Sequence, residues 1–188
     1  MVKTRTHRRT SKRLTGAALA FAVVAFATAA SATVVLPVEF PDMVVQAQTI
    51  VHGRVVDVRS HMTAGRRTIE TLVTLAVLDA LKGEPGRTVV FRVPNGQVGR
   101  YRRIMVGAPE FEAGDEVVVF LAGRPPVVPI PFGLSQGVYR VSRAGGRAIV
   151  TPLVVGDAGR TVRGDPGRRP LSLDAFAQQV AGVLARRQ

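Results

Sequence analysis

Apolar residues recur at every second position in several short stretches of the chain, and turn-forming residues separate these stretches. Thr68–Leu78 and Thr88–Val93 alternate in this way, and Lys82–Gly86 between them is rich in glycine, proline and charge. A period of two places successive side chains on opposite faces of a β-strand. A succession of such segments at short spacing predicts a β-sandwich or a small barrel.

Further segments extend the predicted sheet. Ile50–Arg59 forms the first strand, but its buried face changes partway, which predicts a bulge near Gly53. Val117–Leu121 is continuously apolar, as expected of a central strand that is covered on both faces. Val138–Val141 and Arg147–Thr151 predict a hairpin that turns at the Ala-Gly-Gly between them.

The beginning of the chain has a different pattern. Residues 1–13 are polar and basic, residues 14–30 carry no charge, and the small residues Ala30-Ser31-Ala32 follow. This order is typical of a secretory signal peptide, so residues 1–32 are predicted to be a leader. An uncleaved N-terminal anchor is the alternative, because the apolar run approaches the length that spans a bilayer. We expect an exported protein (periplasmic, cell-surface or secreted) with no stable membrane span after cleavage.

The end of the chain is predicted to be helical. Residues 33–155 form the predicted β domain, and residues 156–171 form a linker rich in Gly, Arg, Pro and Asp. A helix is predicted over residues 172–187, with Ser172 as its N-cap. Its apolar residues fall on one stripe, which predicts that the helix docks on the sheet. The stripe consists of Leu173, Phe176, Val180, Val183 and Leu184.

The composition limits the chemistry. The chain has no cysteine, which excludes disulfides and cysteine-containing zinc sites. Six of its 26 Lys and Arg residues lie in the first 13 residues, which contain no acid, so the rest of the chain carries 20 bases against 13 acids, a net charge of +7. A charge of this sign favours contact with anionic polymers of the cell envelope.

Motifs for catalysis are absent from the sequence. His52 and His61 are nine residues apart, so they do not form the i, i+4 pair of a helical metal site. No Gly-x-Ser-x-Gly, His-Glu-x-x-His or phosphate-binding glycine loop occurs. The remaining candidates are four acids around a turn, Glu110, Glu112, Asp115 and Glu116. Such acids hold Ca²⁺ or act as a glycosidase pair in some proteins, but acids at turns are usually solvated. We therefore predict no catalytic residue, no metal and no cofactor.

Two segments are candidate contact surfaces, because exposed loops on a rigid β scaffold carry function. The first lies in the weaker strand pattern of Gln97–Met105, and the second is the proline-rich loop Arg124–Pro131 with the residue after it. Their residues are Arg100, Tyr101, Arg102 and Arg103 in the first and Pro125, Pro126, Pro129 and Phe132 in the second. The first also resembles a polyanion site, but the chain has no Trp and two Tyr, which leaves few stacking platforms for nucleic acid. A basic strand that discourages edge-to-edge pairing is the alternative.

Several stretches carry a family resemblance. Ala47–Val56 (AQTIVHGRVV) contains a V-x-G-x-V pattern, Lys82-Gly83 ends the second strand, and Gly114–Leu121 (GDEVVVFL) opens a later one. With Gly133–Val141 (GLSQGVYRV), these stretches resemble bacterial exported domains akin to the netrin-like module, which also forms the inhibitory domain of the tissue inhibitors of metalloproteinases. The resemblance covers about residues 44–142.

The resemblance implies a five-stranded barrel of the oligonucleotide/oligosaccharide-binding type with accessory helices. Together with the strand pattern, it predicts a mainly β fold, a small five- to six-stranded barrel of that type with a C-terminal α-helix. The animal inhibitors hold the zinc of a protease through an N-terminal cysteine. This chain has no cysteine, so no inhibitory residue is carried over to it.

Three functions are consistent with the sequence. The first is an exported, non-catalytic binding module that contacts another extracytoplasmic protein, for example a secreted protease. The second is electrostatic binding to an anionic envelope glycan or lipid. The third and least supported is a carboxylate-dependent hydrolase. We expect the first, with an unidentified protein partner and no nucleic acid.

Overall fold

The computed structural model describes residues 38–63, 65, 68–124, 126–153 and 169–186. The predicted leader and most of the predicted linker lie outside these ranges. The described residues are mainly β, as predicted. No helix among them is long and apolar enough to cross a membrane.

Ten strands and two α-helices are described. The helices are α1 (Phe40–Gln46) and α2 (Leu173–Ala185). The strands are β1 (Thr49–Met62), β2 (Ile69–Lys82), β3 (Thr88–Val93), β4 (Gly96–Val98), β5 (Tyr101–Arg103), β6 (Glu116–Ala122), β7 (Ile130–Pro131), β8 (Val138–Ala144), β9 (Arg147–Pro152) and β10 (Leu171–Ser172). A 3₁₀ turn (Leu134–Gly137) precedes β8.

Eight of the strands form one antiparallel sheet in the order β10-β9-β8-β6-β1-β2-β3, with β7 paired to the end of β6. Strands β4 and β5 form a separate hairpin. Within the described ranges the sheet is open, so the predicted closed barrel of five or six strands is not confirmed. One backbone hydrogen bond, from Arg92 N to Pro129 O (2.9 Å), links β3 to the residue before β7. Strand β7 has two residues. One of them is Pro131, which has no backbone N–H and cannot donate a hydrogen bond to a neighbouring strand.

The bulge predicted near Gly53 is confirmed. The β1–β2 register shifts between His52 and Gly53, and a Cβ on Gly53 would lie 2.7 Å from the Ala76 carbonyl oxygen, so the close strand contact requires glycine. A second shift between Val55 and Asp57 places Val56 in solvent. Together these irregularities produce the change of buried face that the sequence indicated.

Two apolar cores lie on opposite faces of the sheet. On β6, Val118 and Phe120 contribute to one core, and the alternate residues Val117 and Val119 contribute to the other. The prediction of a central strand covered on both faces is therefore confirmed. The helix-side core contains Phe40, Met43, Val44, Ala47, Ile50, Val118, Phe120, Tyr139, Val150, Phe176, Val180 and Val183. The second core contains Val51, Val55, Val73, Leu75, Val89, Phe91, Val93, Phe111, Val117, Val119, Leu121 and Val138.

Helix α2 confirms the predicted C-terminal helix and its apolar stripe. The Ser172 side chain accepts a hydrogen bond from Ala175 N (3.3 Å), as an N-cap does. Leu171 and Ser172 pair with β9 as strand β10, so the predicted linker is wrong at Leu171, which is part of the sheet. The helix ends at Ala185, and Arg187 lies outside the described residues.

Helix α1 was not predicted, and Lys82 at the end of β2 holds its C-terminal end. The Lys82 Nζ donates hydrogen bonds to the backbone oxygens of Val44 (2.8 Å), Val45 (2.8 Å) and Ala47 (2.5 Å). The last carbonyls of a helix have no partner within the helix, so a side-chain cation there satisfies them. Burial lowers the pKa of Lys82.

Replacing Lys82 with methionine is expected to lower the free energy of unfolding by about 2 kcal/mol, because three part-buried carbonyls lose their donor while the aliphatic stem is kept. Urea denaturation measures this loss. The exposed Arg87 provides the matched control, since Arg87→Met removes the same charge without removing a described hydrogen bond. Equal stability of the two variants would contradict the role of Lys82.

Candidate binding site

The first predicted contact segment forms a hairpin instead of one strand. Strands β4 and β5 pair from Gly96 with Arg103 to Val98 with Tyr101, and Gly99-Arg100 makes the turn. Tyr101 and Arg102 are exposed, and the Arg100 guanidinium lies 5.2 Å from the centre of the Tyr101 ring. The structure therefore brings all four residues of this segment together on one exposed ribbon.

Hydroxyl groups anchor the hairpin to the ends of β1 and β2. Ser60 Oγ and Thr71 Oγ1 are 2.8 Å apart, Thr71 donates to Asn95 O (2.6 Å), and Gln97 N donates to Ser60 Oγ (3.3 Å). Gly96 lies against the same two hydroxyls. A Cβ at this position would be 2.4 Å from Thr71 Oγ1 and 2.5 Å from Ser60 Oγ. The hairpin orientation therefore depends on glycine here.

Gly96→Ala is expected to lower the free energy of unfolding by about 2 kcal/mol, because the new methyl group meets two hydroxyls and the backbone φ is unfavourable for other residues. The φ of Gly96 is +146°. Gly99→Ala is the matched control, since Gly99 also has a positive φ (+56°) but no atom within 4 Å of a built Cβ. Thermal unfolding compares the two variants, and a larger loss in Gly99→Ala would show that the contact at Gly96 does not matter.

A cavity of about 560 Å³ opens beside the hairpin, a volume typical of ligand-binding clefts. Part of its apolar lining comes from the second core and part from residues 104–106 after the hairpin, and polar and charged residues complete the lining. The lining includes Val58, Val73, Val93, Phe111, Ser60, Thr71, Asn95, Gln97, Arg102, Arg103, Glu110, Glu112 and residues 104–108.

The segment over residues 104–112 contributes to the cavity lining and is held by hydrogen bonds to other parts of the chain, including those at Gly107 and Pro109. Ser135 N donates to Gly107 O (3.0 Å), and the Asn95 side chain donates to Pro109 O (3.1 Å). Before these points the chain projects apolar side chains into solvent, with Ile104 73% exposed and Val106 86% exposed. Exposed apolar side chains mark a contact surface where they form a contiguous patch, and these two residues lie two positions apart on one segment.

The charges at this site are loosely paired. Arg102 lies 3.6 Å from a Glu110 carboxylate oxygen, with the two side chains 59% and 79% exposed. Arg103 donates to Ile69 O over 3.4 Å, a weak bond. An exposed pair of this kind contributes roughly 0–1 kcal/mol and opens readily. The Arg102 side chain is therefore accessible to solvent, and Arg103 is half-buried.

The described residues of the proline-rich segment do not line the cavity beside the hairpin, and they differ in their exposure. Pro126 is exposed, Pro129 accepts the hydrogen bond that links it to β3, and Pro125 lies outside the described residues. Phe132 is half-buried and packs against the helix-side core, so it belongs to the fold and not to an exposed loop. Ile130 borders a separate cavity of about 150 Å³. The two predicted segments thus do not line a common cavity among the described residues.

Three of the four acids in the predicted cluster pair with different arginines. Glu110 faces Arg102, Asp115 pairs with Arg140, and Glu116 is buried in a group of its own. The described residues contain no group of three or more His, Cys, Asp or Glu side chains that could hold a metal ion. The cluster therefore does not form one site there.

Glu116 and His52 form a contact that sequence reasoning missed. His52 Nε2 lies 2.9 Å from Glu116 Oε1, and the two side chains are 6% and 8% exposed. Arg143 donates to the same carboxylate over 2.7 Å, and Arg54 over 3.3 Å. Because His52 and Glu116 are 64 positions apart on paired strands, no local signal in the sequence indicated their contact.

The electrostatics of this group favour the ionised carboxylate. Burial would raise the pKa of Glu116, but hydrogen bonds from Arg143 and His52 and the charge of Arg143 outweigh it, so the pKa lies below its ordinary value of 4.5. A carboxylate held by so many donors is typical of a structural ion pair. We therefore assign the group to the stability of the fold.

Comparison of the chain with models of known protein families, with curated proteins and with solved structures finds no match.

Proposed function

We propose that this protein is an exported, non-catalytic binding module that contacts another extracytoplasmic protein. The contact surface is the hairpin of β4 and β5 with the segment that follows it, residues 96–112, which we call the hairpin surface. The observation that carries the proposal is the exposure of Ile104 and Val106 at a cavity that Arg102 and Arg103 also line. A secreted protease is one partner of the expected kind.

The residue types of the hairpin surface support protein recognition. Tyr, Met and Arg are enriched at protein interfaces, and this surface contains Tyr101, Met105 and three arginines. The anchoring bonds at Gly107 and Pro109 also support the proposal, because a surface that is already ordered loses less entropy on binding.

Electrostatic binding to an anionic envelope glycan or lipid is the second candidate. The exposed and loosely paired Arg102 favours it, together with the half-buried Arg103, which makes one weak hydrogen bond. Such binding weakens steeply with added salt, because screening shortens to about 3 Å near 1 M. Contact that is driven by Ile104 and Val106 keeps most of its strength at high salt.

The proposal also includes a barrel architecture and the netrin-like resemblance of the chain. The hydrogen bond between Arg92 and Pro129 supports a partly closed barrel, since it brings β3 next to the strand that pairs with β6. The signal-peptide pattern of residues 1–32 supports an extracytoplasmic location. A netrin-like architecture is consistent with binding, and fold likeness alone gives no target.

The experiment is cross-linked capture of partners by the tagged full chain expressed in its host. Ile104→Thr with Val106→Thr is expected to reduce recovery of the partner about tenfold, a loss of about 1.4 kcal/mol in binding. Val56→Thr with Leu78→Thr is the matched control, because these side chains are also about half exposed (51% and 52%) but lie on β1 and β2.

Recovery at low and high salt separates the two candidate functions. A protein partner retained at high salt supports the binding module. Retention of anionic polymer alone, lost at high salt, supports the electrostatic candidate instead. Equal recovery by both double variants would contradict the assignment of the hairpin surface.

A further inference from the structure

We propose that the cavity beside the hairpin binds an extended, charge-ordered peptide segment of the partner. In this segment an acidic and a basic residue stand on either side of an aliphatic or aromatic residue. The inference rests on the proposed function and names the chemistry of the partner at the same surface. It follows from a cavity whose lining combines apolar residues, arginines from one segment and glutamates from another.

The interior of the cavity selects the central residue. Its lining includes the exposed side chains of Ile104 and Val106. Val73, Val93 and Phe111 of the second core also line it, and these three are at most 7% exposed. The hydroxyls of Ser60 and Thr71 bond to each other and to the hairpin, so they are already satisfied. An inserted apolar side chain therefore removes hydrocarbon surface from water without leaving these hydroxyls unpaired.

The borders of the cavity select the flanking charges. Arg102 and Arg103 come from β5, whereas Glu110 and Glu112 come from the segment that leads to β6. Arg102 and Glu110 meet loosely at 3.6 Å while both remain largely exposed. A peptide that carries both charges replaces this weak pair with two pairs of its own. A peptide of uniform charge satisfies one border and is repelled by the other.

A peptide fits these borders better than an anionic bilayer does. A negatively charged membrane over the cavity would face Glu110 and Glu112 as well as the arginines. A cavity of this volume also accepts an inserted side chain, whereas a bilayer surface offers none. We therefore argue for the peptide, and membrane binding is an outcome of the test.

Selection of peptides on the immobilised full chain tests the inference. From a library of randomised dodecapeptides, the chain is expected to enrich sequences with an acid and a base flanking an apolar residue. Arg102→Glu with Arg103→Glu makes both borders acidic and is expected to shift the selection to bases on both sides. Glu110→Lys with Glu112→Lys is expected to shift it to acids on both sides.

Affinity measurements in solution accompany the selection. The most enriched peptide, synthesised with a fluorescent label, is expected to bind about tenfold more weakly to the Arg102→Glu, Arg103→Glu variant, as expected for the loss of one charge-assisted contact. Arg147→Glu is the matched control, because Arg147 is an exposed arginine on β9 and is expected to leave binding unchanged. Arg102→Gln with Arg103→Gln replaces the charge-reversed variant if the latter does not fold.

Each remaining outcome would overturn the inference. These outcomes are failure to enrich any peptide, enrichment without charge order, and sedimentation with phosphatidylglycerol vesicles that the arginine variant abolishes. The proposed function fails separately, since it requires only that Ile104 and Val106 control capture of a protein partner.

Discussion

Replacing Phe176 with alanine is expected to lower the free energy of unfolding by about 4 kcal/mol, the largest effect that we predict for one residue. Phe176 is the aromatic residue through which α2 docks on the sheet. Its ring lies 5.5 Å from Phe40, 6.2 Å from Phe120 and 4.9 Å from Tyr139, measured between ring centres. Truncation removes these contacts and leaves a cavity between helix and sheet.

Urea denaturation of the full chain measures the effect. Gln178→Ala, on the exposed side of the same helix, is expected to change stability by less than about 0.5 kcal/mol. A loss below about 1 kcal/mol for Phe176→Ala would mean that α2 contributes little to the core, contrary to its burial.

Replacing Glu116 with alanine is expected to lower the free energy of unfolding by about 3 kcal/mol near neutral pH, because it leaves the buried His52 ring without its partner and removes the acceptor of two arginines. The exposed ends of Arg54 and Arg143 reach solvent after the substitution, which limits the loss. Asp57→Ala is the control, since Asp57 pairs with a largely exposed Arg59 and its loss is expected to cost less than about 1 kcal/mol.

The pH dependence of stability gives a second measurement of the Glu116 group. The folded pKa of Glu116 lies below the unfolded value of 4.5, so its contribution is present above that pH. The contribution is lost as the pH falls from 4.5 through the folded pKa. Urea midpoints of the chain and of Glu116→Gln are therefore expected to converge in acid. A constant difference at all pH values would contradict the ionised pair.

The sequence predicted those parts of the fold that depend on local pattern. The continuous apolar run of β6 indicated burial on both faces, and both cores meet there. Gly53 marked the irregularity in β1, because a missing side chain permits a close strand contact. Ser172 and the apolar stripe of α2 gave the C-terminal helix, since caps and periodicity are also local features.

Other features depended on contacts that are distant in sequence. Helix α1 has seven residues and is held by Lys82, which follows it by more than 30 positions, so its own pattern was too short to identify. Strands β4 and β5 have three residues each and depend on the hydroxyls of Ser60 and Thr71. The sheet extends through β8, β9 and β10. The local sequence pattern of these strands is the same in an open sheet and in a closed barrel, so it does not distinguish the two.

The candidate site was predicted only in part, because some of its features also depend on contacts that are distant in sequence. The basic and aromatic run of Arg100–Arg103 was visible in the sequence, and it lies on the exposed hairpin. The exposure of Ile104 and Val106 was not visible, because apolar residues after a strand pattern are normally expected in a core. The segment that carries them is held at Gly107 and Pro109 by hydrogen bonds from Ser135 and Asn95, which the local sequence does not indicate.

Hydrogen–deuterium exchange of the full chain, with and without the protein partner identified by cross-linking, tests the assignment of the binding surface most directly. The hairpin surface includes one border of the apolar cavity, and its amides are expected to be shielded by the partner. We predict slower exchange in peptides covering residues 96–112 and little change in β8 and β9. Protection confined to β8 and β9, with unchanged exchange in residues 96–112, would contradict the account.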